Sequence, residues 1–264
     1  MHPRSFPLAL LLALVSLVLV ATPVAAGDFR GADIVSVAQD ETVDDDLYVA
    51  AGTVNISGTV AGDATVSGGT VTVAGRIEGS LNVAGGSVDV LGEVVGAVRV
   101  SGGTVRIGGS VGRDLVVFGG TATVASSATV AGDLAGGVGT LTVDGSVEGD
   151  LLVGAGSLTI NGTVDGDVNV GVTDLTLGST AVVGGDVTYT SRNEARIADG
   201  ADVGGAVERQ EPADAPGASP IADNPIVSFI GALVGMLLLG WTLLAIRPRL
   251  VLGSGETLRR SPLP

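Results

Sequence analysis

Cysteine and lysine are both absent from the 264 residues, and the one histidine is His2. Without cysteine there is no disulfide framework, so stability must come from packing alone. Without Cys and with no His beyond residue 2, zinc sites and the common nucleophile–base pairs lose their residues. Aromatic side chains make up only 3 % of the chain. A wide core built around rings is therefore excluded, whereas a narrow interior of Val, Ile and Leu fits. Basic charge is scarce as well: all 13 basic residues are Arg, against 28 acidic ones, for a net charge of −15. Between Gly27 and Asp223 the balance is −19, from 27 acidic and 8 Arg residues. Such a surface repels nucleic acid, so no nucleic-acid partner is expected.

What the chain has in abundance is one short repeat. Aligned on an apolar residue, the units mark Val43, Val60, Ile77, Val94, Val111, Val130, Val147, Val164, Val183 and Val203. The spacings are 17, 17, 17, 17, 19, 17, 17, 19 and 20 residues. A period in this range signals a solenoid. Taking Asp63 as position zero of its unit, apolar residues fall at +1, +3, +8, +10 and +14, as in Leu81, Val83, Val88, Val90 and Val94 of the next unit. Two-residue spacing puts each pair on one face of a strand. Gly68-Gly69, Gly85-Gly86, Gly102-Gly103 and Gly119-Gly120 separate the pairs. Each unit then reads as three very short strands and three corners, with Gly supplying positive φ at the corners. A helix is excluded, because each interior Gly costs a helix roughly 1 kcal/mol. One unit alone cannot bury its aliphatic face; stacked units can. The expected architecture is all-β, a parallel β-helix of about ten 17–20-residue turns.

The segments divide as follows. Residues 1–26 read as a signal peptide, with Arg4 at its start, an apolar run over Leu8–Val20 and small residues at Val24-Ala25-Ala26. Residues 27–207 form the β-helix ectodomain. Residues 208–224 are a Pro/Ala/acidic linker, as in Glu211-Pro212-Ala213-Asp214. Residues 225–246 carry no charge and are long enough for a transmembrane helix. Residues 247–264 make a short tail whose Arg247, Arg249, Arg259 and Arg260 place it in the cytoplasm. The expected location is the cell membrane, crossed once, with the β-helix outside.

Candidate sites are few. Asp44, Asp45 and Asp46 are weak candidates for a hard cation such as calcium, the alternative being a solvated acidic end. Asn55-Ile56-Ser57 and Asn161-Gly162-Thr163 match the N-glycosylation acceptor. Asp recurs at position zero (Asp46, Asp63, Asp114, Asp133, Asp150, Asp167, Asp186), interrupted by Ser80 and Ala97. Asp suits a corner and can bond its own backbone there. Stacked carboxylates also repel, so added salt should stabilise the rod. Tyr189, Arg192, Asn193, Glu194 and Arg196 are expected to form a bulged surface corner, the first place to look for a specific contact. Glu148/Asp150 and Asp165/Asp167 could in principle perform acid–base work. With no long loops to wall a cleft, they read as surface. No catalytic residue and no cofactor is expected.

The run Gly-x-Val-x-Gly-Asp-x-x-Val-x-Gly-Gly-x-Val-x-Val at Gly58–Val73 resembles the units of bactofilins, the polymer-forming cytoskeletal family. The resemblance spans roughly Val43–Val207. It implies a right-handed, three-sided β-helix that polymerises end to end without nucleotide and associates with membranes. The leader and apolar C-terminal stretch make the chain similar to exported, membrane-anchored, polymer-forming relatives of halophilic archaea, as does the Lys-free acidic composition. The expected function is a non-enzymatic scaffold self-associating through the β-helix ends. The alternative is an adhesin-like or envelope-sensing stalk that binds glycans, ions or envelope proteins through its flat Thr/Ser faces.

Overall fold

A computed structural model describes residues 27–212. The expected signal peptide, transmembrane helix and tail, and most of the linker, lie outside the described residues. Inside them the chain is a parallel β-solenoid of about 11 turns, with no helix. The turns stack into two sheets. One has eleven layers from Asp28–Val37 to Val207–Gln210, with Arg196–Ile197 attached at its side; the other is ten two-residue strands, from Thr42–Val43 to Asp202–Val203.

The strand count per turn differs from the expected three. The two apolar pairs of a unit lie in one ten-residue strand, such as Ala64–Val73 or Leu81–Val90. The Gly-Gly step bends that strand without ending it. Register runs Ala64↔Leu81 through Gly68↔Gly85, omits Gly69, and resumes at Thr70↔Ser87. The omitted residue changes the alternation, so Ala64, Val66, Val71 and Val73 all point inward. A straight strand would turn one pair to solvent.

The core is columnar. Position +1 stacks Leu47, Ala64, Leu81, Val98, Leu115 and Leu134 in register, all 0 % exposed. Position +14 stacks Val60, Ile77, Val94 and Val111 in the second sheet, each 0–1 % exposed. Each side chain packs on a like one a strand spacing away, about 4.8 Å. That is why a lone unit has no core.

Units of 19 residues keep this register by placing two extra residues at one corner. There the chain closes a tight turn, with Ala128 N–H donating to Ala125 C=O and Ala181 N–H to Gly178 C=O. The 17-residue units use glycine at that corner, and for a reason other than the expected one. Only Gly27 and Gly136 among the described residues have positive φ. At Gly92 the constraint is proximity: a Cβ there would lie 1.8 Å from the carbonyl oxygen of Gly75 in the preceding turn.

Candidate functional site

The Asp column does more than tolerate a corner. Each position-zero Asp side chain reaches up one turn and accepts the next position-zero N–H. Asp63 N–H donates to Asp46 Oδ1 at 2.8 Å, Ser80 N–H to Asp63 Oδ1 at 2.7 Å, and Asp150 N–H to Asp133 Oδ1 at 2.9 Å. The series continues through Asp167 and Asp186 to Ala206 N–H. Asp was expected to bond its own backbone; its partner is instead the neighbouring turn. The carboxylates thus take up the position-zero N–H beside interlayer backbone bonds such as Leu47 N–H to Asp63 C=O and Gly79 N–H to Gly62 C=O, and charge assistance strengthens such a bond.

This ladder adds to the reason for the Gly that precedes it, beside the backbone of the turn below, which at Gly96 would lie 2.5 Å from a Cβ. A Cβ at Gly79 would stand 2.3 Å from Asp63 Oδ1, and one at Gly166 2.3 Å from Asp150 Oδ1. Gly62, Gly132, Gly149, Gly185 and Gly205 meet the same carboxylate oxygen at 2.1–2.4 Å. One ladder residue above the first turn breaks the Gly rule: Arg113 precedes Asp114, and the turn beneath it carries Ala97, which has no side-chain acceptor. With Ala97 beneath it, the Cβ of Arg113 meets no carboxylate of the ladder.

The first layer is closed by charge. In register, Asp28 pairs with Leu47 and Arg30 with Val49, so both occupy inward positions. Arg30 Nη2 donates to Asp28 at 2.7 Å and to Glu41 Oε1 at 2.6 Å. The bond that Arg30 donates to Asp28, then that to Glu41, raises the Arg30 pKa further. Arg30, with help from the Ala38 N–H, holds the Glu41 carboxyl below its ordinary range. Glu41 lies in the acidic stretch Asp40–Asp46. Its partners Asp28 and Arg30 carry no sequence signal, because the first turn departs from the repeat.

Asp44 and Asp45 are exposed and Asp46 half-buried. Asp45 Oδ1 accepts the Asp46 N–H, and Asp46 Oδ1 serves the ladder. Among the described residues no three His, Cys or acidic side chains converge as a metal would require. Asp150 and Asp167, candidates for acid–base work, are engaged as ladder acceptors on an exposed corner.

Asn55 is exposed, on the same side of its strand as Thr53. Asn161 sits differently. Its Nδ2 donates to Asp144 Oδ1 at 2.8 Å, and its Oδ1 lies where a Cβ on Gly178 would fall.

The irregular corner near the C-terminal end is real, but Tyr189 is not on its surface. It is 5 % exposed, in register with Val170 in the core, and its hydroxyl accepts the Ala195 N–H at 3.1 Å. Ser191, 1 % exposed, donates to Thr173 C=O and accepts the Asn193 N–H. Arg196 remains outside, 3.8 Å from Asp174.

Two long faces are flat. On one, Thr53, Thr70, Ser87, Thr104, Thr121, Thr140 and Ser157 form an in-register file. On the other, the outward +2 and +4 positions hold no acidic residue from Phe29 up to Thr190, in a chain of net charge −15. Phe29 and Tyr48 stack at one end of that second face, with ring centroids 4.7 Å apart.

Fold and surface together define a class: a short-turn parallel β-solenoid whose layers are joined by a carboxylate ladder. A scan of protein-family models and searches of curated proteins and of solved structures found no match to this chain.

Proposed function

We propose that the chain is a non-enzymatic, bactofilin-like scaffold of the cell envelope, anchored to the membrane by residues 225–246 and self-associating through the ends of the solenoid. One observation carries this reading. Among the described residues, the strands Asp28–Val37 and Val207–Gln210 are each hydrogen-bonded on one side only, which presents a row of backbone donors and acceptors at both ends of the long sheet. In the last two layers Ile197 and Val207 are 46 % and 41 % exposed. Minimal corners supply no walls for a substrate cleft, in keeping with a structural role. The test is electron microscopy of the full chain in detergent and molar salt. Rods that are multiples of the unit length, about 50 Å for eleven layers, are expected; unit rods only, at every concentration, would overturn the reading.

A second reading, a stalk that binds envelope glycans, is favoured by the Thr/Ser file. Hydroxyls repeat along it at each strand spacing, and none of the seven makes a side-chain hydrogen bond to the protein. Binding on a glycan panel that Thr121→Val/Thr140→Val abolishes would select this reading over the first.

A further inference from the structure

Charge is unevenly spread along the rod. The turn Ala97–Arg113 carries Arg99, Arg106 and Arg113 and no acid, whereas acidic residues outnumber basic ones in every other described turn. Elsewhere Arg30, Arg76, Arg196 and Arg209 each form an ion pair. Among the described residues Arg99, Arg106 and Arg113 form none, and all three are exposed. Three open guanidinium groups in one turn of so acidic a chain need a reason that the fold does not supply.

Their surroundings single out Arg99. Arg106 is in register with Asp89, and Arg113 precedes Asp114. Arg99 instead lies between Asn82 and Val116, and the position-zero residues beside it are Ser80 and Ala97, the two rungs without Asp. Asp63 is two layers from Ala97, about 10 Å, which exceeds the Debye length of about 8 Å at physiological salt. Asp114 is one layer away, but its Oδ1 accepts the Asp133 N–H of the following turn, away from the gap. Side-chain donors surround this gap: the Arg99 and Arg113 guanidinium groups, the Asn82 amide, and the Ser80 and Ser101 hydroxyls. Ser80 Oγ accepts the Ala97 N–H at 3.4 Å, which leaves its proton for a ligand.

We infer that this gap in the carboxylate column binds the carboxylate or sulfate group of an acidic glycan, with Arg99 as the principal contact. A planar guanidinium presents paired donors that match an oxyanion. Asn82, Ser80 and Ser101 then serve the neighbouring sugar hydroxyls, and Arg113 adds a second cation across the corner. The rest of the rod selects against denser anions. Duplex nucleic acid carries one charge per about 1.7 Å, and an anionic bilayer is charged throughout. Either would also press on Asp63, Asp114 and Asp133, which share this corner. A sugar chain offers isolated charges with neutral hydroxyls between them. The site is separate from the Thr/Ser file, which runs along the other arm of the bent strand through Thr104, and from the ends of the solenoid.

The test is titration of the full chain in detergent with oligogalacturonate and dextran sulfate. Neutral dextran, inorganic sulfate and mixed micelles containing phosphatidylglycerol serve as comparisons. Arg99→Gln should lower the affinity for both acidic glycans about tenfold or more. Ala97→Asp/Arg113→Gly, which returns this corner to the repeat, should do the same, with its thermal melt showing that it folds. Arg76→Gln removes an equal charge elsewhere and should change affinity less than about twofold, as should Thr121→Val/Thr140→Val. Binding should also weaken between about 0.15 M and about 1 M salt. The inference is overturned if neither acidic glycan binds, or if neutral dextran, inorganic sulfate or the lipid micelles bind as tightly. A folded Arg99→Gln chain of unchanged affinity, or an R76Q loss equal to that of R99Q, overturns it as well.

Discussion

Ala97 and Arg113 allow the ladder to be tested by repair. Ala97→Asp would restore a carboxylate to the one turn without an acceptor, but its Oδ1 would fall where Arg113 has its Cβ. The equivalent distance to a Cβ elsewhere in the column is 2.1–2.4 Å. The single variant should therefore be forced off its rotamer and lose about 1 kcal/mol or more. Arg113→Gly alone should cost about 0.5–1 kcal/mol in backbone entropy. The double variant makes the new bond to Asp114 N–H, for which a charged acceptor contributes about 1.5–3 kcal/mol. Against this stands repulsion from Asp114 one turn away, roughly 0.9 kcal/mol at 4.8 Å in water. A Debye length of about 8 Å reduces that by about half at physiological salt. Ser80, on the other side, is uncharged. The double variant should thus be close to wild type, and the coupling energy from urea melts of all four proteins should be about 2 kcal/mol. If the two single effects simply add, within about 0.5 kcal/mol, the steric account of Gly before Asp is wrong.

Within the intact ladder, Asp150→Ala should destabilise by about 1–2 kcal/mol, which lowers Tm by about 2–4 °C per kcal/mol in a domain of this size. Asp150→Asn keeps an acceptor and relieves repulsion, so it should stay near wild type at low salt. The cost of both should grow in 1 M salt, where a Debye length of about 3 Å has already removed the repulsion; Tm differences that ignore salt would contradict the stacked-carboxylate picture. The Arg30–Glu41 contact predicts acid sensitivity. Because Glu41 is held below its ordinary value near 4.3, its contribution is complete above that pH and is lost as pH falls through the lower folded value. Glu41→Gln should remove that part of the pH-dependence of Tm, and an unchanged acid limb would sink the assignment. Leu158, 0 % exposed in the column core, should lose about 2–5 kcal/mol on change to Ala, read from denaturant melts.

The sequence alone determined the repeat, its phase and which residues face inward. Those follow from apolar pairs two apart and a third position a fixed distance on, a pattern that only stacked parallel strands can bury. Even the exceptions at Ala97 and Arg113 stand in plain view in the sequence, yet their link does not. A 17-residue spacing says two positions are neighbours without saying that a carboxylate of one occupies the Cβ space of the other. Tertiary structure also decided that the Gly-Gly step bends one strand rather than separating two. It decided that Asp bonds the adjacent turn, and that Tyr189 closes the core instead of marking the surface. Asp28 and Arg30 gave no sequence signal, because charged residues at inward positions make sense only at the first described layer of the stack, where Arg30 finds Glu41 on a corner eleven residues away. Periodicity encodes what every layer shares; contacts between particular atoms of successive layers, and the chemistry of the ends, exist only once the layers are stacked.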